Sequence, residues 1–254
     1  MSAPGAAPEA VVRALGGRIR PDSFVVVLTG AGISAESGVR TFRDGNGLWE
    51  EHRIEDVATP EGFERDPALV HRFYNARRRQ LFEVEPNPAH RALAEFQARW
   101  GERVLLITQN VDDLHERAGQ RDLIHMHGEL RKVRCLECEA VLGWDGDVDL
   151  DTTCPECGRP GSLRPHIVWF GEMPFEMDRI AWALDRCGLF LSIGTSGNVY
   201  PAAGFVQEVR DGIPTVELNL EPSLGASSFE FCIHDRASVA VPAFLGGLLE
   251  ACGR

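Results

Sequence analysis

Four short apolar runs punctuate the chain at Phe24–Leu28, Val104–Thr108, Phe190–Ile193 and Thr215–Leu218. Each is rich in Val, Ile, Leu or Phe and ends near Gly or polar residues, the pattern of a strand buried on both faces of a parallel sheet. A further candidate strand ends in His125-Met126-His127-Gly128. Helical periodicity lies between several of the runs, as at His90–Trp100 behind the Asn87-Pro88 start signal. This alternation predicts an α/β fold built on a Rossmann-like doubly wound parallel sheet. Ligands of such sheets lie beyond the carboxyl ends of the strands, so the residues just after each run are the ones to inspect. Two stretches break the alternation. The connection between the first two strands is far longer than one crossover helix requires, and residues 131–164 contain no convincing core strand. Both read as excursions that build a smaller module.

Composition adds constraints. The chain is that of a globular protein, 44% hydrophobic and 25% charged, with a net charge of −12. Such a charge argues against the basic footprint of a nucleic-acid-binding protein. No apolar run approaches the roughly 18 residues that point to a membrane span. Residues 1–22 carry Arg13, Arg18 and Arg20 but no continuous apolar core, which argues against a secretory signal, and Glu9 counts against a transit peptide. A cytoplasmic, monomeric enzyme is expected, with a mitochondrial location as the alternative.

Four of the seven cysteines form two pairs, Cys135-x-x-Cys138 and Cys154-x-x-Cys157, with fifteen residues between them. Each C-x-x-C turn presents two thiolates, and two such turns complete a tetrahedral zinc shell. Four thiolates leave no open position for water, so the metal is structural. Cys187, Cys232 and Cys252 read as buried small apolar residues. The expected organisation is a flexible segment 1–22 and a Rossmann-like domain from 23–44, 86–130 and 165–254. The small module combines a helical part, 45–85, with a zinc-binding part, 131–164.

The first strand runs into Gly30-Ala31-Gly32-Ile33-Ser34-Ala35-Glu36-Ser37-Gly38, where Gly30, Gly32 and Ala35 match the G-x-G-x-x-G/A dinucleotide pattern. Glycines there let the backbone turn tightly and approach a pyrophosphate. An ordinary Gly-rich turn is the alternative. A hydride-transferring enzyme would also carry a second strand ending in an acidic residue about 20 positions on. This chain instead continues into Thr41-Phe42-Arg43-Asp44, which counts against a dehydrogenase. Other polar groups gather at strand ends: Gln109-Asn110-Val111-Asp112, His127, Gly194-Thr195-Ser196, and Asn219-Leu220-Glu221. His127 is either a general base, since imidazole titrates near neutrality, or a satisfied structural histidine.

In this order the segments GAGISAESG, TFR, QNVD, HMHG, the four cysteines, VWFGE, GTSGNV and ELNLEP resemble the sirtuin family of NAD-dependent protein deacylases, over about residues 24–245. The resemblance implies that NAD is consumed: the acyl-lysine oxygen attacks the ribose carbon bearing nicotinamide, nicotinamide leaves, and water then releases free lysine and O-acyl-ADP-ribose from the resulting alkylimidate. It casts His127 as the base that activates a ribose hydroxyl, with Asn110 also catalytic. Gly30, Ala31, Gly32, Ser34, Ala35, Glu36, Phe42, Arg43, Trp49, Gln109, Asn110, Val111 and Asp112 would surround the nicotinamide ribose and phosphates. Gly194, Thr195, Ser196, Asn219, Leu220, Glu221 and Ala237 would follow towards adenosine. Val168, Trp169, Phe170 and Gly171 would line the acyl-lysine tunnel and pair with substrate as an added strand. Mono-ADP-ribosyl transfer and an NAD-sensing zinc-ribbon module remain the alternatives.

Val70, Phe73, Tyr74, Arg77 and Leu81 share one face of a helix starting at Asp66-Pro67, while Arg72 and Arg79 point away. By pattern alone Arg77 reads as a snorkelling or surface-paired arginine. Tyr74 and Arg77, with the small Ala58 sixteen positions before the tyrosine, resemble the desuccinylase and demalonylase class of the family. There a Tyr hydroxyl and an Arg fork bind the acyl carboxylate. The implied activity is removal of succinyl and malonyl groups, and of acetyl groups, from lysines of protein substrates.

Overall fold

A computed structural model of the chain describes residues 5–40, the backbone of 48–49, and residues 52–254. Its principal strands are β1 (Val25–Thr29), β2 (Val104–Thr108), β3 (Leu123–His125), β4 (Gly128–Cys135), β5 (Val141–Gly143), β6 (Leu163–Ile167), β7 (Leu189–Ile193), β8 (Thr215–Asn219) and β9 (Phe231–His234). Six of them form one parallel sheet in the order β9-β8-β7-β1-β2-β3. Counting only these six in chain order, the arrangement is 3-2-1-4-5-6, the dinucleotide-binding order, and its direction reverses between β1 and β7.

The runs form central strands because both faces of the sheet are covered. Every position of β1, β2 and β7 is buried. Side chains alternate between faces along a strand. Val25 and Val27 therefore join Leu15, Leu93, Phe96 and Phe244 on one face, and Val26 and Leu28 join Ile180, Leu184 and Phe205 on the other. The longer helices are α1 (Pro8–Leu15), α2 (Pro67–Gln80), α3 (Pro88–Trp100), α4 (Met177–Asp185) and α5 (Ala237–Ala251). Helices α1, α3 and α5 cover the first face and α4 the second. Asn87 starts α3: its side chain accepts from Ala89 N, Pro88 holds the first turn, and the Asn87 N–H donates to His90 Nδ1. Emptying the site of Phe96 by truncation to Ala would cost about 3–5 kcal/mol.

The small module has two cores. Helix α2, capped by Asp66 Oδ1 accepting from Leu69 N at 2.9 Å, packs Val70, Phe73 and Tyr74 against Leu130, Ile167 and Trp169. The segment read as free of core strands carries β5 and much of β4, in a three-stranded antiparallel sheet ordered β5-β4-β6. None of these strands joins the central sheet. Val133, Cys135 and Leu163 pack with Val148 and Cys154 on one side, leaving Lys132 and Arg134 free to sit among carboxylates. A buried latch ties the two parts. Arg78 Nε donates to Leu130 O at 2.7 Å and Nη1 to Gly146 O at 3.1 Å, while Asn75 exchanges two hydrogen bonds with the Val148 backbone.

Candidate active site

The site begins where the sheet reverses. The loops after β1 and β7 touch through backbone, with Gly32 N donating to Gly194 O at 2.7 Å. A Cβ on Gly32 would lie 2.7 Å from that same oxygen, and one on Gly194, whose φ is +65°, would lie 2.3 Å from Ile33 N. Only glycine fits either position, so the small residues serve the contact between the two loops. A cleft of about 780 Å³ opens beside them. Gly30, Ala31, Gly32, Thr195, Ser196, Asn219, Leu220 and Glu221 all line it. Two hydrogen bonds brace the rim: Gln109 Nε2 to Thr195 Oγ1 at 3.1 Å and Asn219 Nδ2 to Thr195 O at 2.6 Å. Ala35, Glu36 and Ala237 stand off the cleft wall. Glu36 instead accepts from the Ser238 backbone and hydroxyl at the start of α5. Phe42 and Arg43, together with the side chain of Trp49, lie outside the described residues.

His127 follows β3 and lines the same cleft, with Gln109, Asn110, Val111 and Asp112. Its Nδ1 lies 3.2 Å from Gln109 O. A carbonyl only accepts, so Nδ1 carries the hydrogen and the neutral ring keeps its lone pair on Nε2. Burial lowers the pKa of His127 against a smaller opposing effect of that hydrogen bond, so the ring is a base ready at neutral pH. Gly128, φ +85°, is required behind it, because a Cβ there would sit 2.1 Å from His166 O.

Behind this wall a polar chain is sealed from solvent. His90 Nδ1 accepts from Asn87 N, so its Nε2–H points at Ser34 Oγ, 3.4 Å away. Asn110 Nδ2 donates to the same hydroxyl at 3.1 Å. Burial pushes the Asp112 carboxyl up to about 6, opposed by hydrogen bonds from Leu114 N and Ser34. Ser34 is thus a junction of the site rather than part of its surface.

Ala58, Tyr74, Arg77, Val168, Trp169, Phe170 and Gly171 continue the cleft. Arg77 is 6% exposed and its guanidinium lies 3.8 Å over the Phe73 ring, which replaces the snorkelling arginine of the pattern by a buried one. Trp169 Nε1 donates to the Tyr74 hydroxyl at 3.0 Å, and burial pushes that phenol well up, so it stays neutral and keeps a hydrogen to donate. Trp169 is itself fixed: Arg164 lies 3.4 Å over its ring and Glu172 accepts from its backbone N–H and from Arg164.

The four cysteines come together as the spacing requires. Their sulfurs all lie within 4.8 Å of one another, with Cys135 to Cys157 at 3.7 Å and Cys138 to Cys154 at 3.9 Å. A tetrahedral zinc with Zn–S near 2.3 Å sets sulfurs about 3.8 Å apart, so this donor set fits the ion. Glu137 N directs its hydrogen at Cys135 Sγ from 3.4 Å, the orienting contact that thiolate ligands take.

Sequence reasoning missed several cleft residues, among them Arg40, Gln80, Tyr200 and Leu224. Tyr200 and Leu224 are 75% and 80% exposed. They sit in loops without periodicity, so only their size and exposure beside a glycine-rich strand end could have marked them.

Comparison with known proteins agrees with this geometry. The model of the Sir2 family matches residues 30–201. An NAD-dependent protein deacylase of Shigella flexneri is 61% identical over 229 residues, covering 89% of this chain and 84% of the relative. One of Yersinia pestis is 60% identical over 233 residues, covering 91% and 84%. Among solved structures, a Sir2 homologue in complex with NAD superposes with a TM-score of 0.85 at 34% identity, over 99% of this chain and 98% of the other. A Sir2 protein bound to a myristoylated histone peptide gives 0.71 at 28% identity, over 96% of each chain.

Proposed function

The chain belongs to the Sir2 family and is an NAD-dependent protein deacylase, and on that premise we propose that its preferred substrates are lysines bearing succinyl or malonyl groups, with acetyl-lysine also accepted. The observation that carries this reading is the pairing of Tyr74 and Arg77 on the cleft wall beside Ala58. Trp169 Nε1 donates to the Tyr74 oxygen, and a phenol O–H and a guanidinium fork are the kinds of donor that bind a carboxylate. A small residue at position 58 leaves room for it.

NAD supplies the electrophilic ribose carbon and is consumed. The residues then divide the work. Asn110 and Asp112 hold the nicotinamide ribose and carboxamide, supported through Ser34. Gly30–Gly32 and Gly194–Ser196 admit the pyrophosphate and ribose, and Asn219 and Glu221 reach the adenosine end. His127 takes a proton from a ribose hydroxyl on Nε2. The cysteine cluster, with zinc, holds the module that carries β4 and β6 and takes no chemical step.

The substrate backbone docks along 168–171 as an added strand. There the N–H groups of Val168, Trp169 and Phe170 already donate to His127 O, Glu172 and Ala58 O. The Trp169 carbonyl already accepts from Glu172 N, so pairing runs through the Gly171 N–H and the Val168 and Gly171 carbonyls. The same reading makes the protein a cytoplasmic monomer acting on acyl-lysine proteins, without nucleic-acid or membrane partners; no helix of the described residues is long and apolar enough to cross a membrane. Peptide binding to the His127→Ala protein tests the substrate class without turnover. A succinyl-lysine peptide should bind about 10-fold tighter than its acetyl twin, the worth of one charge-assisted contact. Equal affinities would speak against the reading.

A further inference from the structure

Two ionisable residues near the cleft take no part in the account above. His125 closes β3, with Nδ1 3.1 Å from the Asn110 carbonyl and Nε2 2.6 Å from Glu116 Oε1. Carbonyl and carboxylate oxygens only accept, so both ring nitrogens carry hydrogen and the ring is an imidazolium. Burial opposes that charge, but the hydrogen bond and field of Glu116 outweigh it and raise the His125 pKa. Two residues on, His127 makes the matching bond to the Gln109 carbonyl. Alternate side chains of the His125-Met126-His127 run thus hold consecutive carbonyls at the end of β2.

Asn110 is gripped at three points. Its N–H donates to Thr108 Oγ1 at 3.0 Å, its side chain donates to Ser34, and its carbonyl accepts from His125. The His125 bond is the only charged one of the three, and charge-assisted bonds are roughly twice as strong as neutral ones. Glu129 also faces this pair, and the ligand atoms of Glu116, His125 and Glu129 lie within 4.8 Å of one another. Lys132 Nζ lies 2.5 Å from Glu129, so this lysine and the imidazolium already balance the two carboxylates without a metal ion.

We propose that His125, held by Glu116, is a positioning residue for deacylation: it fixes the Asn110 peptide and thereby aims the Asn110 side chain at the nicotinamide ribose. The inference rests on the role given to Asn110 above. Two substitutions separate the ring's halves. In His125→Asn the amide nitrogen takes the place of Nδ1 and keeps the bond to Asn110 O. In His125→Gln it takes the place of Nε2, keeping Glu116 and losing Asn110. His125→Asn should retain kcat/KM for NAD within about 3-fold, whereas His125→Gln should lose about 10-fold or more, chiefly in KM for NAD, as small misplacements of binding groups do. Glu116→Gln, able to donate to Nε2 of a neutral ring, should stay near wild type, and Glu116→Ala should follow His125→Gln, with a melting temperature recorded for each variant. Equal losses in His125→Asn and His125→Gln, or the reverse order, would overturn the proposal. A wild-type-like His125→Gln beside an inactive Asn110→Ala would overturn this inference alone. An active Asn110→Ala would overturn it together with the reading of Asn110.

Discussion

Replacing Arg77 by Met removes the guanidinium fork and keeps an unbranched apolar side chain about as long as the arginine's stem. Arg77 is buried over the Phe73 ring, so the packing consequences come first. The cation–π contact, worth about 0.5–2 kcal/mol, gives way to a sulfur–aromatic contact of about 0.3–1.5 kcal/mol, and the fold should survive. The loss then falls on the substrate. A charge-assisted hydrogen bond contributes roughly 1.5–3 kcal/mol, and at 1.36 kcal/mol per tenfold this is about a 10- to 150-fold drop in kcat/KM for a succinyl-lysine peptide. An acetyl group has no carboxylate to lose, so the same peptide carrying acetyl-lysine should change by less than about 3-fold. The assay is steady-state nicotinamide release at saturating NAD on the two matched peptides, with melting temperatures recorded for both proteins. Parallel losses on both peptides would refute the carboxylate-clamp reasoning, because they would place Arg77 in the fold or in the common chemistry.

Three further outcomes follow from the site. Since burial lowers the His127 pKa and the base must be neutral, the pH profile of kcat/KM should be flat above about 6.5 and fall only below it; an acid-limb midpoint above 6.5, or activity surviving in His127→Ala, would contradict the assignment. Burial pushes the Asp112 carboxyl up to about 6 from its usual 3.8, so the native state binds the extra proton between those values and its ionised form is destabilising above about 6. Asp112→Asn should therefore melt higher than wild type at pH 7, lose that advantage by about pH 4, and raise KM for NAD; a lower melting temperature at pH 7 would count against it. Chelation of zinc or Cys154→Ser should abolish activity together with the near-ultraviolet signal of the module, since structural zinc sites hold on the order of 10 kcal/mol of folding energy; a folded, active, zinc-free protein would contradict this.

The central sheet was legible because β1, β2 and β7 are buried on both faces, which leaves no room for polar positions. Strands β4 and β6 were not, because a small one-sided sheet needs few apolar residues. In β4, Leu130, Val133 and Cys135 are buried, while Arg131, Lys132 and Arg134 carry the strand's charge. The helix face holding Tyr74 and Arg77 was readable from its period, yet Arg78 beside them is equally buried and donates to backbone carbonyls from 52 and 68 positions away. Nothing local distinguishes those two arginines. The cysteine spacing predicted its geometry outright. The pairing of His125 with Glu116 was invisible, because it depends on how a short helical turn after β2 folds back on the end of β3.

A panel of one peptide carrying succinyl-, malonyl-, acetyl- or unmodified lysine, incubated with the enzyme and NAD, tests the central claim most directly. Mass spectrometry should find one nicotinamide and one O-acyl-ADP-ribose for each lysine freed, with succinyl and malonyl peptides turned over and the unmodified peptide inert. Turnover of acetyl-lysine alone would contradict the acyl specificity, and ADP-ribose attached to protein without O-acyl-ADP-ribose would contradict deacylation itself.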